Sequence, residues 1–236
     1  MINGGSLIVF AGFLSDWLSI IFGWKKIRPY AKVLALVILI GWTFFAFDFH
    51  PGRQGVTLLL ALTFGLLGDI LLLFPHKYFK WGLGAFLLGH LTYLKLFYDL
   101  IHLGVAEGLV TQVPVWAWAA VGGIIVIALI VFNRVIMQDM REPRPWWLLQ
   151  AALYFYAACL SAVMAVSYLA AGLFALGGIQ VWPLALGGTL FFISDFVLAY
   201  DRFVRAFRQA HILIMTTYHL AQFFLAAGFI ALISLF

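Results

Sequence analysis

Residues 65–74 read GLLGDILLLF, and Asp69 is the only Asp, Glu, Lys or Arg between Arg53 and Lys77. The meaning of such a run depends on the solvent around it. In lipid it is a spanning helix with an ionisable group inside. Such a group costs about 2.5–3.5 kcal/mol at mid-membrane on insertion scales and by default faces a cavity where it works. The rest of the chain decides the solvent. Of 236 residues, 65% are hydrophobic and 10% charged, whereas an ordinary soluble domain carries about 25% charged residues. A globule this apolar does not stay dissolved, so the bilayer is the solvent.

Composition also excludes several classes. The single cysteine, Cys159, allows neither a disulfide within one chain nor a cysteine-based metal site. The formal net charge of +5 is explained by membrane topology rather than by nucleic-acid binding. The N-terminal stretch MINGGSLIVFAGFLSDWLSIIFG lacks the basic start and small-residue cleavage site of a signal peptide, so it reads as a retained first span.

A spanning helix needs about 20 mostly apolar residues. Eight segments qualify: 5–23, 31–48, 55–74, 81–100, 113–133, 147–171, 181–200 and 211–234. In lipid the backbone must satisfy its own hydrogen bonds, so these are helices. The expected fold is all-α, one integral membrane domain over residues 1–236 with eight transmembrane helices. Pro29, Pro51, Pro75, Pro114, Pro143 and Pro145 fall between spans or at their edges, and Pro183 in a first turn. Basic residues alternate between the two sides. Lys25, Lys26, Arg28, Lys32, Lys77, Lys80, Arg134, Arg141, Arg144, Arg202, Arg205 and Arg208 fall on one side, and only Arg53 in the loops of the other. That bias places the basic loops in the cytosol and both termini outside. A compact chain without long tails fits a bacterial cytoplasmic membrane.

Two parts of the chain echo each other. TFGLLGDILLLF is followed by a short basic turn and FLLGHLTYLKLFY; TLFFISDFVLAYDRF is followed by a basic loop and ILIMTTYHLAQFF. Each half offers a buried Asp toward the cytosolic end of one span and a His and Tyr near the middle of the next. His90 follows Asp69 by 21 residues, and His219 follows Asp195 by 24. Equivalent spans run in the same direction, which points to a parallel 4+4 internal repeat with Asp69 and Asp195 facing each other at matching depth. Two carboxylates in one poorly hydrated cavity do not both ionise easily, which leaves one acid and one base.

The bland reading of Asp69 and Asp195 is a structural interhelical hydrogen bond. Their place in lipid favours function. His90 and His219 are as readily interhelical partners as ligands. Tyr218, His219 and Gln222 make a polar stripe on the last span, either a cavity wall or packing. Lys95 reads as a snorkelling side chain paired with Asp99, and Asp201 with Arg205 as a surface pair. Asp16 has no assigned role. Two Asp and two His suit a divalent ion in principle, yet there is no HExxH and no His pair at i,i+4, so no metal is expected.

LLGDILLLF, FLLGHLTYLKLF, FFISDFVLA and TTYHLAQ together resemble the YhhN family of membrane proteins, which includes lysoplasmalogenases. The resemblance spans nearly the whole chain. Where members often show Lys-Pro-Leu at the start of span two, this chain has Lys32, Val33 and Leu34. The resemblance implies an eight-helix enzyme that cleaves the vinyl ether of lysoplasmalogens, giving a fatty aldehyde and a glycerophospho-headgroup without a cofactor. It implies Asp69 and Asp195 as the catalytic pair. His90, Tyr93, Ser194, Tyr218 and Gln222 would support the cavity, with Lys32 or Arg202 meeting the phosphate of a lysophospholipid. Two other classes stay open: a proton-coupled transporter of a lipid or small solute, and a scaffold whose polar residues only hold helices together.

Overall fold

The computed structural model describes residues 4–141 and 147–236. Among these the chain is all-helical, with eight α-helices: α1 (Gly4–Ile21), α2 (Arg28–Phe45), α3 (Gly52–Leu71), α4 (Pro75–Ala106), α5 (Val115–Phe132), α6 (Trp147–Leu176), α7 (Trp182–Phe203) and α8 (Ala210–Ile233). A π-helical turn, Asn133–Met137, continues α5. Six helices match the expected spans to within a turn. The other two run longer, α4 to 32 residues and α6 to 30. Pro143, Arg144 and Pro145 lie outside the described residues.

Local chemistry sets the helix ends. Pro29, Pro75 and Pro183 stand in first turns, where the missing N–H would have no intrahelical partner. Gly23 and Gly178 adopt φ of +66° and +83° just past α1 and α6. Each lets the next amide bond back five residues, Trp24 N–H to the Ser19 carbonyl at 2.8 Å and Ile179 N–H to the Phe174 carbonyl at 2.8 Å.

Seven of the eight helices are long and apolar enough to cross a membrane, all except α4. Length is not what holds α4 back: His90, Lys95, Asp99 and His102 lower its hydropathy. Its inward face is nevertheless wholly buried, with Tyr93, Leu96, Phe97 and Leu100 at 0% exposure. Outward faces carry bare apolar residues such as Ile8, Val115, Trp116, Ile127 and Trp147. A soluble monomer rarely leaves so much contiguous apolar surface, and hydrocarbon accepts it. The chain is an integral membrane protein.

Successive helices pack side by side, except that α4 packs on α6 rather than on α5. Helix α8 packs against α7, α1, α2 and α3, which makes it the centre of the bundle. Helix α4 packs between α3 and α6, and α5 lies outermost against α6. The alternation gathers the α1–α2, α3–α4, α5–α6 and α7–α8 connections at one end. Among the described residues, the basic residues expected to share a side therefore share an end. Arg141 is tied in there: its backbone N–H bonds the Phe203 carbonyl at 2.9 Å, and its guanidinium bonds the carbonyls of Val204 at 2.5 Å and Asp201 at 2.6 Å. The Asp201 carboxylate accepts the Phe207 N–H at 3.1 Å, where the sequence suggested Arg205. Lys95 and Asp99 form the expected i,i+4 pair at 2.5 Å.

The charge bias predicts that the Arg208 end faces the cytosol. In a Cys159→Ala background, a cysteine at exposed His50 should react with an impermeant maleimide on intact cells. One at Arg208 should react only after permeabilisation. The reverse pattern would invert the topology.

Candidate active site

Helical register puts both acids on inward faces. In α3 the buried positions include Leu58, Leu62, Gly65 and Asp69, spaced by three or four. Asp69 thus occupies the last turn of the face that packs on α4 and α8. In α2 the buried positions Lys32, Ala35, Leu36, Leu39 and Thr43 form the matching stripe, so Lys32 points inward one turn into the helix. The two meet: Lys32 Nζ lies 3.0 Å from Asp69 Oδ1, with side-chain exposures of 9% and 2%. Lys32 Nζ also donates to the Asp69 carbonyl at 3.4 Å. Removing two charges from water is costly, and their attraction recovers that only at close range with further hydrogen bonds.

Asp195 has a different environment. It continues the inward stripe of α7 from Gly188 and Phe191, about two turns before the end of the helix. Its Oδ2 accepts a hydrogen bond from the Tyr156 hydroxyl of α6. His90 Nε2 of α4 stands 3.6 Å from the same oxygen, with its ring edge-on to Tyr156 at 5.2 Å and against Phe191 at 4.7 Å. Among the described residues no Lys or Arg forms an ion pair with Asp195.

The two acids share a cavity of about 110 Å³ at the basic-loop end of the bundle. Lys32, Ser194 and Tyr218 also line it, together with Arg28 and His211. Arg28 is half-buried and His211 exposed, so the cavity opens past them toward the basic loops. Tyr218 reaches toward the Asp69 carboxylate. Ser194 Oγ is turned to the wall, donating to the Ile214 carbonyl of α8 at 3.1 Å. Among the described residues no three His, Cys, Asp or Glu side chains converge to hold a metal ion.

The remaining candidates lie behind this wall. Tyr93 is fully buried and donates to Gln222 Oε1 at 2.5 Å, fixing the amide from below. Gln222 and Tyr218 press on α3 at Gly65, where a β-carbon would come within 2.7 Å of the Tyr218 hydroxyl and 2.8 Å of Gln222 Nε2. Glycine at 65 is what lets α3 and α8 approach here. His219 packs against α1. Its Nδ1 accepts from Trp17 Nε1 at 3.1 Å, and its ring stacks on Phe13 at 4.7 Å. Arg202 is not in the cavity; its guanidinium lies over the Phe79 ring at 5.0 Å.

The structure adds Tyr156, Arg28 and His211 to the site. The sequence treated Arg28 only as a topology signal, and nothing marked Tyr156 within the apolar YFY run of span six. Asp16 is fully buried in α1, with Lys32, Arg28 and Asp69 as its electrostatic neighbours.

The YhhN family model matches residues 27–229, most of the chain. The chain belongs to the YhhN family. No match was found among curated proteins or solved structures. The matched region contains every lining residue of the shared cavity and leaves Asp16 outside.

The ion pair generates a stability prediction. Lys32→Met strands the Asp69 carboxylate and should cost about 3–5 kcal/mol of unfolding free energy, as breaking buried pairs does. Adding Asp69→Asn should recover much of that loss. Denaturation in detergent micelles of the two single variants and the double variant measures the coupling. Additive losses would show that the pair contributes nothing as a pair.

Proposed function

We propose that this YhhN-family protein is a lysoplasmalogenase-type hydrolase, with Asp195 as proton donor and Asp69 as the standing carboxylate. One observation carries the reading: two buried acids line one cavity, and only one of them holds a fixed cation. Lys32 at 3.0 Å favours the anionic form of Asp69. Asp195 has only the Tyr156 hydroxyl and the His90 ring beside it, partners compatible with a carboxylic acid that keeps its proton.

The chemistry follows from those roles. A vinyl ether is activated by adding a proton to the carbon β to its oxygen. Asp195 donates that proton, and the carbon bearing the oxygen becomes an oxocarbenium ion. Asp69 stabilises that cation and takes a proton from the water that attacks it. The product is a hemiacetal, with Asp195 now ionised and Asp69 protonated. As the hemiacetal C–O bond breaks, Asp69 returns a proton to the departing alcohol oxygen and Asp195 removes the one on the hydroxyl. Aldehyde and alcohol leave, and both acids are reset. Paired-carboxylate glycoside hydrolysis uses the same oxocarbenium logic.

The cavity suits an amphiphile entering from the basic-loop side. With Lys32 committed to Asp69, the phosphate falls to Arg28, with His211 beside it at the mouth. Tyr93, Gln222 and Tyr218 then position the wall opposite, and Ser194 fixes α7 to α8 next to Asp195.

Purified protein in detergent should release fatty aldehyde from lysoplasmalogen, with EDTA making no difference. Folded Asp69→Asn and Asp195→Asn variants should each lose at least about 100-fold in kcat, the scale of general acid–base contributions. Aldehyde production that survives both changes would overturn the mechanism. A folded wild type that makes no aldehyde, yet moves protons with solute across liposomes, would favour the transporter.

A further inference from the structure

Asp195 belongs to two cavities. Besides the polar one, it lines a chamber on the other side of α7, between α4, α5 and α6. Leu198 is also common to both, so the two voids lie on either side of the Asp195–Leu198 turn of α7. The chamber is almost wholly apolar. Its inner wall includes Ala128 of α5 and Leu153, Ala157 and Leu160 of α6, with Tyr156 bridging to Asp195. The wall on the α4–α7 side is half-buried, formed by Phe79, Leu83, Phe192, Phe196 and Phe203. Phe79 meets Phe203 edge-on at 6.0 Å, with Arg202 over its ring.

We propose that this chamber is the hydrocarbon subsite, which takes the first carbons of a single-chain lipid while its headgroup lies in the polar cavity. The inference rests on the hydrolase reading and adds to it where the chain goes. The place of Asp195 between the two voids identifies the occupant. A molecule filling both voids is polar at one end and apolar at the other, and its junction lies beside the carboxyl group. In a lysoplasmalogen that junction is the vinyl ether, because the oxygen joins glycerol to the chain. The void measures about 40 Å³. On a scale where one water needs about 10–15 Å³, that holds about three small groups. The rest of the chain therefore leaves over the half-buried Phe79–Phe203 rim into the surrounding lipid, with Arg202 as a cationic lip.

Filling the chamber tests this. Ala157 and Ala128 are 6% and 8% exposed, and both side chains face the void. The measured quantity is the ratio of kcat/KM for a long-chain (16-carbon) to a short-chain (4-carbon) alkenyl glycerophosphocholine. Ala157→Leu or Ala128→Leu should lower that ratio at least tenfold. A general folding defect lowers both values together and leaves the ratio alone. An unchanged ratio in both variants would overturn the subsite and leave the hydrolase standing. If the wild type releases no aldehyde, or neither variant folds, a second probe decides. A single-chain alkyl ether glycerophosphocholine with a diazirine on its third chain carbon is photolysed with wild-type protein. Label on peptides of α5, α6 and α7 facing the chamber supports the subsite. Label confined to the outer faces of the bundle overturns it.

Discussion

The contact between Lys32 and Asp69 is the constraint from which the site follows. A carboxylate in the last turn of a helix that packs on two others, 2% exposed, has little contact with bulk water. It must be neutral or have a cation brought to it. The cation comes from the first turns of α2, at 3.0 Å. That joins the beginning of α2 to the end of α3, and Tyr218 of α8 lines the same cavity. At the other end of the bundle the packing is apolar, with Phe97 and Leu100 of α4 beside Phe229 of α8, all fully buried. The cavity lies at the end where polar side chains, with their need for partners, prevent close packing.

The same contact breaks the symmetry suggested by the two sequence blocks. Were the halves chemically equal, His219 would stand to Asp69 as His90 stands to Asp195. Instead Trp17 of α1 engages His219 and Lys32 engages Asp69. One acid therefore sits in a charged setting and the other among a phenol, an imidazole and hydrocarbon. Two identical environments would give two identical acids, and acid–base chemistry on one substrate needs them to differ. The packing is asymmetric as well: α8 is central, touching four helices, while α4 lies between α3 and α6.

The sequence made the helices legible because lipid imposes one rule, an unbroken apolar run of fixed length, and proline and glycine mark the interruptions. Asp69 and Asp195 were legible for the converse reason, as rare breaches of that rule. Tyr156 was not: a tyrosine in an aromatic-rich span carries no such contrast, and only its register on α6 aims the hydroxyl at Asp195. Lys32 was legible as a basic residue near a helix start, but its contact with Asp69 was not. The sequence offered it to a phosphate, and the fold gives it to Asp69. The extra length of α4 escaped for a related reason, since its polar residues look like loop to a hydropathy scale although the bundle buries the face opposite them.

The location of Asp195 on the face shared by two voids bears on why an enzyme of this kind would be built inside a membrane. A vinyl ether lies at the boundary between a hydrated headgroup and a hydrocarbon chain, and protonating it at carbon requires an acid that reaches the chain side. An acid in water would meet the headgroup and not the chain; one in pure hydrocarbon would have no partner to orient it and no access for the attacking water. A carboxyl group on α7 with Tyr156 on one side and the Lys32–Asp69 cavity on the other satisfies both demands. In the proposed reaction water enters on the Asp69 side, where polar groups can hold it. The chain side is lined by alanine, leucine and phenylalanine, which give water no hydrogen-bonding partners. In the proposed hydrolase, capture of the oxocarbenium ion would then be confined to the face where the base stands.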